Sequence, residues 1–290
     1  MEFFCAERVS PHITQIINVP QAYCYLVEGE EKAALIDAGD GLGNLGDFVR
    51  TLTDKPVFVI LTHGHVDHIG GAVFFGEVYL NEKDWALARK HDTPELKHEY
   101  AGEFLPPETF RSLSEGDFSP TRTGGYLPLE DGQVFDLGGI TLEALALPGH
   151  TQGMTCILAR EERSVFFGDG CSPSVYLWLE DSSTVEEYRE SLLRFKTQED
   201  RYDTVYLSHG PRTVAKRVLD DVLELCDGLM HGVSDAQPIA LLGEEPRIAK
   251  RTDRHFRRLD GGVGNIVYDP ERIWKNGGAG EQKPVSHTAP

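Results

Sequence analysis

The run Val57-Phe58-Val59-Ile60-Leu61-Thr62-His63-Gly64-His65-Val66-Asp67-His68-Ile69-Gly70-Gly71 sets the architecture of this chain. Its first five residues are apolar, with β-branched and aromatic members, and read as a strand buried on both faces. The polar segment begins where that strand ends, which is where open α/β sheets hold their ligands. Three imidazoles and a carboxylate then fall within six residues, more donors than one small cation readily uses. His63 and His65 flank Gly64, so a turn can aim both at one ion. Asp67 and His68 lie on the next turn and can face a second. Two adjacent divalent ions, each completed by donors from elsewhere in the chain, follow from this grouping.

Composition narrows the class. A chain of 290 residues with 40% hydrophobic and 26% charged content can bury a substantial core. Its net charge of -19 opposes binding to a phosphate backbone, which needs a clustered cationic surface, so nucleic acid is excluded as a partner. No apolar run approaches the roughly 20 residues of a membrane span. The amino terminus also lacks a basic segment followed by an apolar stretch, and a cytoplasmic protein without membrane contact is expected. Cys5, Cys24, Cys156, Cys171 and Cys226 are odd in number and lack a Cys-x-x-Cys pair, so they read as reduced and mostly buried thiols.

Working outward, short strands at Ile13 to Val19, Ala22 to Val27 and Ala33 to Ile36 predict an antiparallel meander. Asp37-Ala38-Gly39-Asp40-Gly41 ends the third, and a helix over Leu45 to Leu52 leads back to the buried strand. Strand, helix, strand, polar loop is an α/β order. After a strand at 76–80 and a helix at 82–90, periodicity fades from about 91 to 132, where five prolines predict an irregular, lid-like insertion. Further strands are expected at 133–136, 140–147, 154–159 and 164–167. Ser183-Thr184-Val185-Glu186 reads as a capping box opening a helix to Phe195. A strand at 204–207 and a helix over 213–229 follow, with Val218, Val222 and Leu225 on its core face. Residues 276–290 carry few apolar side chains and read as a disordered tail.

Three more donors sit just after apolar strands: His150 in Leu147-Pro148-Gly149-His150, Asp169 in Phe167-Gly168-Asp169-Gly170, and His209 in Leu207-Ser208-His209-Gly210. Each has a glycine beside it that lets backbone approach closely. Convergence of those strand ends would bring them to the loop at 63–68.

In this order, His63-x-His65-x-Asp67-His68, His150, Asp169 and His209 resemble the metallo-β-lactamase superfamily, and Asp37 matches its further strand-end aspartate. The resemblance covers about Ile13 to Gly210. It implies a four-layer αβ/βα sandwich over residues 1–275, with two mixed sheets face to face and helices outside. It assigns His63, His65 and His150 to one ion, Asp67, His68 and His209 to the other, and Asp169 as the bridge. Asp37 would orient a ligand, and Asp67 would both bind metal and orient the hydroxide shared by the ions. Two divalent ions, zinc first with iron or manganese as alternatives, would activate that hydroxide and hold the oxyanion formed by its attack. Neither Ser208 nor Cys171 is needed as a nucleophile.

Family membership leaves the substrate open among β-lactams, thioesters, lactones and phosphodiesters. An exported β-lactamase does not suit an expected cytoplasmic chain, and the acidity disfavours a nuclease. The chain therefore reads as a thioesterase-like enzyme similar to glyoxalase II, acting on a small acyl substrate, with a lactonase or an iron-dependent persulfide dioxygenase as alternatives. The helical glutathione-binding domain of glyoxalase II has no counterpart in the carboxy-terminal part. Arg247, Lys250, Arg251, Arg254, His255, Arg257 and Arg258 form a cationic stretch suited to an anionic group. The oligomeric state is open, a homodimer included.

Overall fold

The computed structural model describes residues 2–20 and 22–275. In the first half, β1 (Phe4–Arg8), β2 (Ile13–Asn18), β3 (Ala22–Glu28) and β4 (Ala33–Ile36) precede helix α1 (Leu45–Leu52) and β5 (Val57–Ile60). The short helix α2 (Val66–Ile69), β6 (Val78–Leu80), α3 (Trp85–His91), α4 (Pro94–Phe104), α5 (Pro107–Arg111) and β7 (Leu127–Pro128) complete it. The second half adds β8 (Val134–Asp136), β9 (Thr141–Ala146), β10 (Thr155–Ala159), β11 (Ser164–Phe166), β12 (Val175–Leu177) and helix α6 (Val185–Lys196). Then come β13 (Thr204–Tyr206), β14 (Thr213–Val214), α7 (Val218–Met230), β15 (Gln237–Pro238), β16 (Arg247–Ile248) and β17 (Ile266–Tyr268).

Strands β1 to β7 form one sheet in sequence order, antiparallel up to β4 and parallel beyond it. A second mixed sheet runs β14-β13-β11-β10-β9-β8. Their packing follows from the period-2 alternation of side chains along a strand. In β4, Ala34 and Ile36 join Ile157, Ala159 and Phe166 of the second sheet in one cluster between the sheets. Ala33 and Leu35 point the other way, to Leu45 and Val49 of α1. In β10, Cys156 and Leu158 likewise leave the intersheet layer for Leu192 of α6 and Val222 of α7. Burial on both faces is why these strands lack polar alternation. It stabilises by about 2 kcal/mol for a fully buried leucine such as Leu35. Helix, sheet, sheet, helix is the four-layer order expected from the sequence.

Strand direction then places the site. β4 and β5 are parallel, so Asp37 and the loop after Leu61 emerge at one end of the first sheet. β9 and β11 both run antiparallel to β10, and β11 is parallel to β13. The segments after β9, β11 and β13, which carry His150, Asp169 and His209, therefore leave the second sheet at a single edge. Cross-links join the two edges: Tyr25 Oη donates to the Leu207 carbonyl at 2.6 Å, and the Thr155 amide donates to the Thr62 carbonyl at 2.9 Å.

Four expectations are corrected. The stretch 91–132 is irregular only in part: Pro94 and Pro107 open helices instead of interrupting them, while 118–126 forms no helix or strand. Proline is suited to a first helical turn, whose amide has no partner to lose. Thr93 caps the first of these, accepting from the Leu96 amide. The capping box before α6 lies one residue later than read, between Thr184 and Glu187. The helix expected from Thr213 starts only at Val218, since Thr213 and Val214 pair with β13 as an edge strand. Finally, the two sheets are joined by a small third one, β12-β17-β16-β15, built from strands too short to show a period. The tail at 276–290 lies outside the described residues. Among those described, no helix is long and apolar enough to cross a membrane.

Candidate metal centre

Loop 62–71 is held from below by Asp37. Its Oδ1 accepts from the Thr62 amide at 2.7 Å, and its Oδ2 lies 2.8 Å from His68 Nδ1. Asp37 itself adopts a left-handed backbone with φ of 61°, a conformation costly for a non-glycine residue and maintained here by these bonds. Gly70 allows the loop to double back, since a Cβ there would stand 2.2 Å from the Asp40 carbonyl carbon. Gly168 does the same for the Asp169 turn, with φ of 52° and Thr62 Oγ1 only 2.7 Å from where its Cβ would be.

All seven donors read from the sequence come together. His63 Nε2 lies 3.1 Å from His65 Nδ1, which lies 3.0 Å from His150 Nε2. His209 Nε2 is 3.1 Å from Asp67 Oδ2 and 3.3 Å from His68 Nε2. Asp169 stands between the groups, with carboxylate oxygens 3.7 Å from His68, His150 and His209. Asp37, expected to orient a ligand, grips His68.

The far side of each ring decides where its lone pair points. His65 Nε2 lies 2.9 Å from Asp181 Oδ2, and His150 Nδ1 lies 2.9 Å from the Tyr176 carbonyl, so both of those nitrogens carry hydrogen. Thr62 Oγ1 gives its own hydrogen to Asp37 and can only accept from His63 Nδ1, 3.1 Å away. The inward nitrogens of His63, His65 and His150 are thus three acceptors, that of His65 about 3 Å from each of the other two, with no donor among them. Such an arrangement is repulsive alone and suits one small cation with metal–nitrogen bonds of about 2 Å. Electrostatics agree. Burial, reinforced by the neighbouring imidazoles, keeps His63 well below its ordinary range, and burial with His65 beside it lowers His150 to about 4. These rings stay neutral, the state that binds metal. In the other group burial opposes charge, yet Asp37, Asp67 and Asp169 raise His68 strongly, while His68 and His209 hold Asp67 well below the carboxylate range. That subsite draws positive charge. His63, His65 and His150, and separately Asp67, His68 and His209, could each hold an ion, with Asp169 within reach of both.

Three supporting side chains carry no sequence signal. Buried Asp84 accepts from the Gly64 and Gly153 amides at 3.0 and 2.7 Å and from Thr151 Oγ1 at 2.6 Å, tying the 63–68 loop to the His150 loop. Asp181 holds His65, and Tyr100 of α4 donates to Asp67 at 3.1 Å. Asp84 and Asp181 sit in ordinary polar stretches beside helices, and Tyr100 looks like any helical aromatic. Cys171 is fully buried, with its thiol pushed up to about 12 by that burial, and Ser208 is buried against Asp37. Neither is placed as a nucleophile. The cationic stretch reaches the site: His255, Arg257 and Arg258 line the cavity of 1350 Å³ that opens from His65, Asp67, His150 and His209.

The family model described as metallo-beta-lactamase superfamily matches residues 17–209. The chain is 30% identical over 193 residues to the acyl-coenzyme A thioesterase MBLAC2 of Gallus gallus, covering 62% of this chain and 69% of that protein. It is 28% identical to the atrochrysone carboxyl ACP thioesterase nsrC of Aspergillus novofumigatus over 61% of its own length, and spans about half (49%) of that protein. Among solved structures, a metallo-beta-lactamase from Pontibacter korlensis superposes with a TM-score of 0.56 at 18% identity, over 76% of this chain and 97% of the other, a likeness of fold.

Proposed function

This chain belongs to the metallo-β-lactamase superfamily, and from that premise we propose that it hydrolyses acyl thioesters with two divalent ions, zinc in the first place. The observation that carries the proposal is the pair of donor groups about Asp169, which lies 3.7 Å from a histidine of each. His63, His65 and His150 would hold one ion and Asp67, His68 and His209 the other, with Asp169 shared. Imidazole and carboxylate donors suit zinc. Divalent ions in such a site make water nucleophilic near neutral pH and polarise a carbonyl oxygen.

The chain's own groups prepare that step. Asp181, the Tyr176 carbonyl, Thr62 and Asp37 each fix one ring, so the inward lone pairs need no reorganisation. Asp67, which accepts from Tyr100 Oη at 3.1 Å, would orient the attacking water. In the reaction, the water oxygen gives up a proton as it forms a bond to the acyl carbon, the carbon–sulfur bond breaks, and the departing thiolate takes up the equivalent proton, leaving a carboxylic acid and a thiol. Both relatives named above are thioesterases by name, and the apolar residues in the cavity wall suit an acyl group. Seven donors in two groups favour two ions over the single iron of a persulfide dioxygenase.

The test is to load the full chain with zinc, count two ions per chain by elemental analysis, and follow thiol release from acyl-coenzyme A thioesters and S-lactoylglutathione, with acyl lactones in parallel. Turnover of a thioester is expected. A fully loaded protein that cleaves only lactones, or none of these, would overturn the proposal.

A further inference from the structure

Two walls of the cavity above the donor cluster differ chemically. One is α4, whose Leu96, Tyr100 and Phe104 follow at four-residue spacing and so share a face. This apolar stripe begins at the cluster, because Tyr100 Oη touches Asp67 at 3.1 Å. It runs outward through Phe104, whose ring lies 4.6 Å from that of Tyr100 and whose surface is 45% exposed. From Leu96 to Phe104 it covers about 12 Å.

The other wall is the turn at 252–258, which lies beyond the family match at 17–209. Asp253 Oδ1 accepts from the His255 and Arg257 amides at 2.7 and 3.0 Å, and Thr252 bridges Arg258 across the base. Arg258 anchors the turn through Asp260 and the Gly264 carbonyl. So held, the turn keeps Phe256 in a left-handed conformation, φ of 58°, with half its surface exposed between His255 and Arg257 at the cavity. Residues 247–258 contain six of the chain's 28 lysines and arginines against one acid, in a molecule of net charge -19. Among the described residues, Arg254 and Arg257 have no acidic partner; Arg257 lines the cavity, and Arg254, just outside its lining, donates to His255, which lines it. Glu99 and Glu103 lie on the α4 wall, and Lys90, which also lines the cavity, is paired with Glu180 at 3.6 Å, which leaves the 252–258 wall as the place for an anion. Arginine is the side chain matched to phosphate oxygens.

We infer that the 252–258 turn is an anion clamp for a phosphate-bearing thiol of the coenzyme A type, with Arg254 and Arg257 on its phosphates and the acyl chain laid along Leu96, Tyr100 and Phe104. The acyl half rests on the thioesterase reading; the clamp does not. The phosphates bind as anions at the rim while the thioester sulfur reaches down to Asp67 and Asp169.

Binding of the free thiols to the full zinc-loaded chain tests the clamp without turnover. By titration calorimetry, coenzyme A is expected to bind at least about tenfold more tightly than pantetheine, which lacks the phosphates, and to weaken as salt rises. Arg257→Ala and, separately, Arg254→Ala each weaken coenzyme A about tenfold. Both side chains are exposed, and circular dichroism verifies folding of each variant. In kinetics, the ratio of kcat/KM for a coenzyme A thioester to that for the matching pantetheine thioester falls about tenfold in Arg257→Ala, and Phe104→Ala narrows the preference for octanoyl over acetyl. Arginine-dependent binding of coenzyme A without thioester turnover would sink the proposed function and uphold the clamp. Turnover of both thioesters with equal efficiency would sink the clamp and uphold the function. Preference for a thioester carried on a protein over one on coenzyme A would overturn the assignment of the leaving group.

Discussion

At the scale of single residues, the site is a problem in directing lone pairs. A histidine donates or accepts at each ring nitrogen according to what the other nitrogen meets, so a ligand is specified as much by its outer partner as by its own position. His65 shows this most directly: Asp181 takes its outer hydrogen and leaves Nδ1 facing His63 and His150. Asp181→Ala is therefore expected to weaken metal binding by about 10- to 100-fold, with the fold intact. Competition titration against a coloured chelator measures it, and unchanged affinity would show that Asp181 does not orient His65. The seven donors were legible in the sequence because glycines and strand ends mark them. Asp181, Asp84 and Tyr100 were not, since a carboxylate that reaches a histidine 116 positions away leaves no local pattern.

At the scale of elements, α4 is the part that sequence reading missed. Its one proline, Pro94, sits in the first turn, where it opens the helix, and its weak apolar periodicity reflects a helix that gives one stripe to the cavity. What fastens it is polar. Lys97, 1% exposed, places its ammonium 2.6 Å from the buried Asp92 carboxylate and 3.0 Å from Ser119 Oγ. Ser119 Oγ in turn donates to the Gly70 carbonyl of the metal loop at 2.6 Å. The segment read as lid-like is thus clamped against the loop that carries the ligands. Lys97→Ala leaves Asp92 buried without its cation and should cost about 3 to 5 kcal/mol. Urea unfolding measures the loss, and amide exchange across residues 94–104 should quicken. Unaltered protection there would show that the ion pair does not fasten α4.

At the scale of the whole molecule, stability and metal occupancy are linked. The donors come from both sheets: 63–68 from the first, and His150, Asp169 and His209 from the second. Ions bound between them would tie the two halves together, adding about 4 kcal/mol at a thousandfold excess over the dissociation constant. Chelation of the loaded protein is expected to lower Tm by roughly 10 °C and to abolish activity, with both restored by zinc. Calorimetric scans before and after chelation decide it, and an unmoved Tm in protein shown to be metal-free would rule out this coupling.

The four-layer fold followed from the family resemblance; the order of residues alone determined the meander of β2 to β4, the donor-bearing strand ends and the core face of α7. Those depend on periodicity and on glycine, both local properties that sequence displays. Tertiary structure alone decided which outer partner each imidazole meets, that α4 packs against the ligand loop, and that a basic turn near residue 255 stands at the rim of the cavity. Each of these joins segments far apart in the chain. The free energy of such a contact depends on distances that only packing of the two sheets sets.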